Sequence, residues 1–198
     1  MAEARRLPLV VIVGPTAVGK TGLAVRLAQD FDGVIISADS RQVYREMDIG
    51  TAKPTPEEQA AAPHYLIDIL DPDEPLSLAE FQEMAYAAID RAHAEGKLPL
   101  LVGGTGQYVR AVVEGWGIPR VPPHPELRAD LTGFAHVYGA TALHAWLGAV
   151  DPAAAESIDY RNVRRVVRAL EVYLVSGTPI SVVQERTPPP YDILQIGL

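Results

Sequence analysis

The first hundred residues alternate short apolar runs with amphipathic stretches. Apolar runs at residues 7–13, 33–38 and 98–102 are rich in Val, Ile and Leu and have the length of buried strands. Residues 21–28 continue from the first run as an amphipathic helix. A second helix begins at the capping box Ser77-Leu78-Ala79-Glu80, ahead of the third run. Strands and helices that alternate in this order predict an α/β fold with a parallel sheet.

Each of the last two runs leads into a polar or glycine-rich segment. Asp39 follows the second run, and Gly103-Gly104-Thr105-Gly106 follows the third run, ahead of a helix predicted over residues 107–114. The carboxyl ends of parallel strands meet at one edge of the sheet. We therefore expect the ligand site at that edge.

The pattern changes after residue 118. Four prolines between residues 119 and 125 predict a stiff connector. Helical spacing then recurs in three segments, at residues 126–138, 140–148 and 162–175. No strand-like run follows until residues 191–197, which alternate apolar and polar positions.

This pattern divides the chain into three predicted parts. Residues 1–118 form a P-loop NTPase-like α/β core with a parallel sheet, residues 119–188 form a small all-helical insertion domain, and residues 189–198 form a strand that returns to the core. A sheet strand that ends the chain with no helix after it leads us to expect that a C-terminal portion is missing.

Composition narrows the class of protein. The chain has 198 residues, 48% of them hydrophobic, which is enough for a full core. It has no cysteine, so disulfides and thiolate metal sites are excluded and a cytoplasmic protein is expected. No apolar segment has the length of a signal peptide or a membrane span, so no membrane association is expected. A net charge of −8 argues against a general nucleic-acid binder but leaves room for a local basic face.

Residues 14–21 read Gly-Pro-Thr-Ala-Val-Gly-Lys-Thr and fit the phosphate-loop pattern G-x-x-x-x-G-K-[ST] of nucleotide-binding and ATP-binding proteins. In such a loop, backbone N–H groups and a helix N-terminus bind phosphate oxygens, the lysine adds its charge, and the Thr21 hydroxyl binds magnesium. A glycine-rich turn without a ligand has no need for Lys and Thr here. The predicted ligand carries a diphosphate or more, bound by Gly14, Pro15, Thr16, Ala17, Val18, Gly19, Lys20 and Thr21.

Four further segments carry a resemblance to a known family. They are Ile36-Ser37-Ala38-Asp39-Ser40-Arg41-Gln42-Val43-Tyr44, Met47-Asp48-Ile49-Gly50-Thr51-Ala52-Lys53-Pro54, Ala62-Pro63-His64-Tyr65-Leu66-Ile67-Asp68 and Leu101-Val102-Gly103-Gly104-Thr105-Gly106-Gln107-Tyr108. Together with the phosphate loop, they resemble the tRNA dimethylallyltransferase (tRNA isopentenyltransferase) family. The resemblance extends from about Leu9 to Leu198.

The resemblance implies transfer of a dimethylallyl group from its diphosphate to the exocyclic amine of the adenosine just 3′ of the anticodon. It implies Mg²⁺ as cofactor and tRNA, through its anticodon stem-loop, as a partner beside dimethylallyl diphosphate. We expect the protein to act as a monomer. Members of the family normally continue about a hundred residues beyond the point where this sequence stops.

Three residues are candidates for catalysis. Asp39 is placed to accept the proton of the adenine amine, which is a poor nucleophile. A magnesium ligand and a solvated loop acid are the other readings of Asp39. The resemblance implies that Thr105 binds near the bridging oxygen of the diphosphate and that Arg128 lies near the reaction site. Thr105 is also typical of a helix N-cap, and Arg128 of a surface arginine.

Two segments are predicted to bind tRNA. In the first, Asp39 is followed by Ser40, Arg41 and Gln42, which we expect to touch an adenine extruded from the anticodon loop. The resemblance places the second segment, residues 164–168, where relatives contact tRNA. Its members are Arg164, Arg165, Val166, Val167 and Arg168. The alternative for these arginines is a charged helix face paired with Glu171 and other carboxylates.

Three other functions remain open. A small-molecule kinase would use the same loop for ATP, place Asp39 on magnesium and need an arginine-rich lid. An adenylate isopentenyltransferase would act on free nucleotide, for which the helical insertion has little use. The third alternative is an inactive nucleotide- or RNA-binding fragment. His64 is predicted to be structural, because no nucleophile or carboxylate at triad spacing accompanies it.

Overall fold

The computed structural model describes residues 6–198, so residues 1–5 of the predicted core lie outside the described part of the chain. The chain divides into two compact units. Unit 1 contains the residues up to Gly115 together with Thr187–Leu198, and unit 2 contains Trp116–Arg186. The second unit is therefore inserted into the first.

Unit 1 is built on a five-stranded parallel sheet, which confirms the predicted α/β class. The strands are β1 (Leu7–Val13), β2 (Gly33–Ser37), β3 (His64–Tyr65), β4 (Leu98–Gly103) and β5 (Tyr191–Gly197). Their order across the sheet is β3-β2-β4-β1-β5, and every neighbouring pair is parallel. Strand β3 was not predicted, because two residues are too few to show a periodic pattern.

Helices cover both faces of this sheet. They are α1 (Lys20–Asp30), α2 (Pro56–Ala61), α3 (Leu78–Ala94) and α4 (Gly106–Val113). The capping box predicted at Ser77 is present, with the Ser77 side chain accepting from the Glu80 N–H and the Glu80 side chain accepting from the Ser77 N–H. Successive strand residues point to opposite faces, so Val11 packs with Phe81 on one side and Ile12 packs with Ala24 on the other.

Unit 2 is helical in its described structure, as the sequence pattern indicated. It contains α5 (Pro125–Tyr138), α6 (Ala140–Val150), α7 (Pro152–Ser157), α8 (Val163–Ser176) and α9 (Ile180–Val183). Its buried core includes Leu131, Leu143, Leu147, Val166 and Leu170. Over residues 6–198, no helix is both long and apolar enough to cross a membrane.

Two short helices of unit 2, α7 and α9, are held by one buried carboxylate. Asp151 caps α7 by accepting from the Ala154 N–H at 3.0 Å. It also accepts from the Ser181 hydroxyl at 2.6 Å and from the Ser181 N–H at 2.9 Å, which ties α9 to α7. Neither helix was predicted, because each is shorter than two turns of an apolar pattern.

Candidate functional site

The phosphate loop lies between β1 and α1 in unit 1. Ala17 and Gly19 take left-handed backbone conformations, with φ of 66° and 93°. No side chain caps α1, so the N–H groups of its first turn remain available to an anion. The Lys20 ammonium donates to the carbonyls of Gly14 at 2.9 Å and Pro15 at 2.6 Å. An ammonium has three N–H donors, so one is left for a ligand.

A first cavity of about 350 Å³ opens beside this loop. Lys20, Thr21 and the candidate base Asp39 all line it. It continues along the ends of β2 and β4 towards β3, where Ser37, Val102 and His64 form part of its wall. The lysine and threonine of the phosphate-loop motif and a carboxylate therefore face the same space.

A second cavity of about 540 Å³ adjoins the first. Ser40, Arg41 and Thr105 line it, while Asp39 and Thr16 line both cavities. One carboxylate oxygen of Asp39, Oδ1, accepts from the Arg41 N–H at 2.9 Å, which fixes the side chain. Asp39 thus stands where the two cavities meet.

Thr105 joins the turn after β4 to the loop after β2. It occupies the N-cap position of α4, but its hydroxyl does not cap that helix. The hydroxyl oxygen instead accepts from the Ser40 N–H at 3.0 Å. Close approach here requires glycine at position 103, since a Cβ atom there would lie 2.1 Å from the Ala38 carbonyl oxygen. Thr105 therefore stands at the predicted N-cap position, but its hydroxyl binds the Ser40 N–H instead of an N–H of the helix.

Gln42 closes the loop after β2. Its side-chain amide donates to the carbonyls of Thr51 at 3.2 Å and Ala52 at 2.9 Å. Its side-chain oxygen accepts from the Ser37 hydroxyl at 2.9 Å. Both N–H donors of the Gln42 side chain are therefore occupied. The predicted contact of Gln42 with a base would have to use its side-chain oxygen as acceptor.

Arg128 lies in unit 2 and binds a buried carboxylate. Glu171 has no exposed side-chain surface, and Arg128 donates to both of its oxygens, from Nε at 2.7 Å and from Nη2 at 2.8 Å. Arg168 donates to the same carboxylate at 2.6 Å, and so does the His124 N–H at 2.7 Å. Arg128 is therefore part of an ion-pair cluster, which the sequence had not indicated for it.

Burial alone would raise the pKa of Glu171. Hydrogen bonds from Arg128, the His124 N–H and Arg168 outweigh that effect and lower the pKa to about 2. The carboxylate is therefore charged at every pH near neutrality. Arg168 also donates to the Val121 carbonyl at 2.9 Å, so this cluster fastens the proline-rich connector to α8.

The predicted tRNA-binding segment on α8 separates into three kinds of residue. Val166 and Val167 are buried in the core of unit 2, at 0% and 5% exposure, so the prediction that they bind tRNA is wrong for their side chains. Their periodicity already indicated an apolar stripe. Arg164 and Arg165 are exposed and form no ion pair with another described residue. Arg168 pairs with Glu171, which agrees with the alternative prediction for these arginines.

Two residues of the first cavity had received no functional prediction. Lys53 lines it with a side chain that is only 4% exposed. His64 also lines it, with Nδ1 2.8 Å from the Ala62 carbonyl oxygen and a buried Nε2 that has no hydrogen-bond partner. Burial lowers the pKa of His64, which favours the neutral ring. No periodic pattern in the sequence indicates either environment.

The oxygen ligands in the first cavity fit a hydrated magnesium ion. Thr21 and Asp39 supply a hydroxyl and a carboxylate to one cavity, and Mg²⁺ prefers oxygen ligands. In residues 6–198, no group of three or more His, Cys, Asp or Glu side chains is placed to hold a metal. A magnesium ion would therefore rely on one or two protein oxygens, with phosphate and water completing its shell, which is its usual manner of binding.

Known proteins similar to this chain carry consistent names. The family model described as IPP transferase matches residues 42–198. A tRNA dimethylallyltransferase of Chloroflexus aggregans is 66% identical over 92% of this chain and 62% of its own length. One from Roseiflexus sp. is 60% identical over 97% of this chain and 63% of its own length. The chain thus spans about three fifths of the length of these relatives.

Solved structures agree with these matches. The full-length tRNA isopentenylpyrophosphate transferase of Bacillus halodurans superposes with a TM-score of 0.60 at 47% identity, over 96% of this chain and 59% of that one. A eukaryotic dimethylallyltransferase acting on tRNA superposes with a TM-score of 0.80 at 29% identity, over 97% of this chain and 48% of that one. The phosphate loop opens onto a cavity that Lys20, Thr21 and Asp39 line together. Because the family model matches most of its length, the chain belongs to the IPP transferase family.

Proposed function

We propose that this chain carries the reaction centre of a tRNA dimethylallyltransferase. The observation that carries the proposal is the position of Asp39 on the border of two cavities. The first cavity has most of the phosphate loop, with Lys20 and Thr21, and the second has the polar residues Ser40 and Arg41 of the loop after β2. Two substrates that enter from different sides would meet at this carboxylate, as a group transfer requires.

The donor substrate is dimethylallyl diphosphate in the first cavity. Its diphosphate is bound by the loop N–H groups, the first turn of α1 and the free N–H of Lys20. Mg²⁺ bound near Thr21 would supply positive charge to the departing diphosphate. These groups favour the transition state because the diphosphate gains negative charge as it leaves.

The acceptor is the exocyclic amine of an adenine in the second cavity. A stacked adenine is out of reach, so the base must leave the anticodon loop and enter the space beside Ser40, Arg41 and Thr105. The amine nitrogen forms a bond to the first carbon of the dimethylallyl group as the carbon–oxygen bond to the diphosphate breaks. Asp39 accepts the amine proton, which leaves a neutral alkylated amine.

The relatives support tRNA as the natural acceptor. They are named tRNA dimethylallyltransferases, and one structural neighbour is described as acting on tRNA. Within unit 2, the exposed Arg164 and Arg165 supply charge for phosphate contacts. A cytoplasmic place of action and a monomeric state stay predictions.

A labelling experiment tests this function. The chain is incubated with Mg²⁺ and dimethylallyl diphosphate labelled in the dimethylallyl group, with either unmodified tRNA or AMP as acceptor, and separately with ATP and small-molecule acceptors. Label in the RNA supports the proposal, while label in free AMP identifies an adenylate isopentenyltransferase. Phosphate transfer from ATP to a small molecule identifies a kinase. Binding of dimethylallyl diphosphate with no transfer to any acceptor identifies an inactive binding fragment.

The diphosphate assignment predicts a large effect for Lys20→Ala. The variant removes a charge that meets the diphosphate both before and during its departure, so affinity and turnover fall together, each by about tenfold or more. Calorimetric titration with dimethylallyl diphosphate and Mg²⁺ measures the first effect. Lys97→Ala is the matched control, because Lys97 pairs with Asp32 away from both cavities. Unchanged affinity in Lys20→Ala contradicts the loop assignment.

The arginines of α8 predict two different results. In Arg164→Gln and Arg165→Gln, tRNA affinity is expected to fall and the slope of log affinity against log salt to flatten by about one per lost phosphate contact. Stability should change by less than about 0.5 kcal/mol, because both side chains are exposed. Arg168→Gln should instead destabilise unit 2, since it removes a partner of Glu171. Unchanged salt slopes in the first two variants would show a solvated helix face.

A further inference from the structure

Lys53 is a buried cation whose donors are all occupied. Its side chain is 4% exposed. Its ammonium donates to the Tyr44 carbonyl at 2.9 Å, to the Asp48 carboxylate at 2.6 Å and to the Asp68 carboxylate at 2.6 Å. An ammonium has three N–H groups, so none remains for a ligand. Lys53 therefore differs from Lys20, although both line the first cavity.

These bonds join three segments, of which the loop from Asp39 and the stretch at residues 50–53 line both cavities, while the third, at residues 66–70, lines the first through Ile67. Tyr44 belongs to the loop that begins at Asp39, and that loop pairs with residues 68–70 through the bond from the Asp68 N–H to the Gln42 carbonyl at 3.1 Å. The stretch that carries Lys53 lines the second cavity with Gly50 and Thr51 and the first with Ala52 and Lys53 itself. One ammonium thus ties together the surroundings of both proposed substrates.

The backbone around Lys53 is strained. Ala52, directly before it, has φ of 50°, and its partner Asp68 has φ of 53°. Leu66, two residues before Asp68, has φ of 61°. Residues with a Cβ atom adopt this left-handed region only when the surrounding structure holds them there. The bonds from Lys53 to Asp68 and Tyr44 are part of that support.

Hydrogen bonds to two carboxylates keep Lys53 charged near neutral pH. Burial alone would lower the pKa of Lys53, but hydrogen bonds to Asp48 and Asp68 outweigh it and the pKa is raised. The ammonium therefore stays protonated throughout the range in which transfer would be assayed. It cannot serve as a proton acceptor for the reaction.

We propose that Lys53 is a positioning residue that holds the common wall of the two cavities and thereby places the loop from Asp39 to Gln42 against both substrates. The consequence for group transfer rests on the proposed function. The consequence for loop order does not, because it follows from the three hydrogen bonds alone. Lys53 acts through the loop, because its ammonium has no N–H group left to donate to either substrate.

Lys53→Met tests the proposal, with Lys97→Met as the matched control. Methionine fills a similar volume without charge or donors. Amide hydrogen exchange should become about tenfold faster or more in residues 39–54 and 66–70 and stay unchanged in β1 and β4. Affinity for inorganic diphosphate with Mg²⁺ should stay within about twofold of wild type. The kcat for transfer should fall by about tenfold to 100-fold with little change in the KM for dimethylallyl diphosphate.

Two results would overturn the proposal. One is unchanged exchange in residues 39–54, and the other is a loss of diphosphate affinity as large as that of Lys20→Ala, which would make Lys53 a phosphate ligand. If wild type transfers no label, the proposed function fails while the exchange and diphosphate measurements still decide the role of Lys53. If Lys53→Met does not fold, Asp48→Asn weakens one of the three bonds and must itself raise exchange in the same segments, or the proposal is overturned.

Discussion

Replacement of Asp39 by asparagine is expected to slow dimethylallyl transfer by about 100-fold or more while diphosphate affinity stays within about twofold. The amide oxygen can still accept from the Arg41 N–H, so the loop keeps its geometry. What the amide lacks is the basicity to accept the proton from the adenine amine. Single-turnover transfer of label to tRNA at saturating dimethylallyl diphosphate measures the effect on chemistry apart from binding.

A magnesium titration separates the two roles left open for Asp39. If the carboxylate is a base, added Mg²⁺ does not restore the rate of Asp39→Asn. If it is a metal ligand, the variant needs more Mg²⁺ and recovers when the ion is raised. Asp30→Asn, at the exposed end of α1, is the control for loss of one negative charge. A rate of Asp39→Asn within a few-fold of wild type would exclude both roles.

Local signals in the sequence predicted the parts of this fold that local interactions form. Examples are strand β1 before the phosphate loop, the capping box at Ser77 and helix α8. Each of them depends on neighbours within a few residues. The position of Asp39 at a strand end was also accessible, because parallel strands bring their carboxyl ends to one edge. Pattern and topology therefore led to the centre of the candidate site.

Contacts between distant segments were not accessible in this way. Thr105 meets Ser40 across 65 positions of the chain, and Arg128 meets Glu171 across 43. No periodicity records such a pairing, so the partner of Arg128 was missed, while the place of Arg128 near the reaction site came from the resemblance and stays a prediction. The two valines of α8 show a different error, in which a segment assigned as a whole to tRNA contains the buried side of its helix.

The Glu171 cluster gives the largest expected effect on stability. Glutamine at position 171 keeps the volume but loses the charge that Arg128 and Arg168 share, and its NH₂ group cannot accept the bonds that one carboxylate oxygen accepts. Breaking a buried ion pair from one side typically costs about 3–5 kcal/mol. Both arginines reach solvent in part, which reduces the penalty, so we expect Glu171→Gln to destabilise unit 2 by about 3 kcal/mol.

Urea unfolding followed by tryptophan fluorescence measures this loss, because both tryptophans of the chain, Trp116 and Trp146, belong to unit 2. Glu156→Gln, an exposed position on α7, is the control and should match wild type. The pKa of Glu171 is lowered from 4.5 to about 2 in the folded state, so its contribution is complete above about pH 4.5 and is lost as the pH falls towards 2. The difference between wild type and Glu171→Gln should therefore shrink over that interval. A difference that persists undiminished at pH 2, or none at pH 7, would mean that packing rather than charge holds the connector to α8.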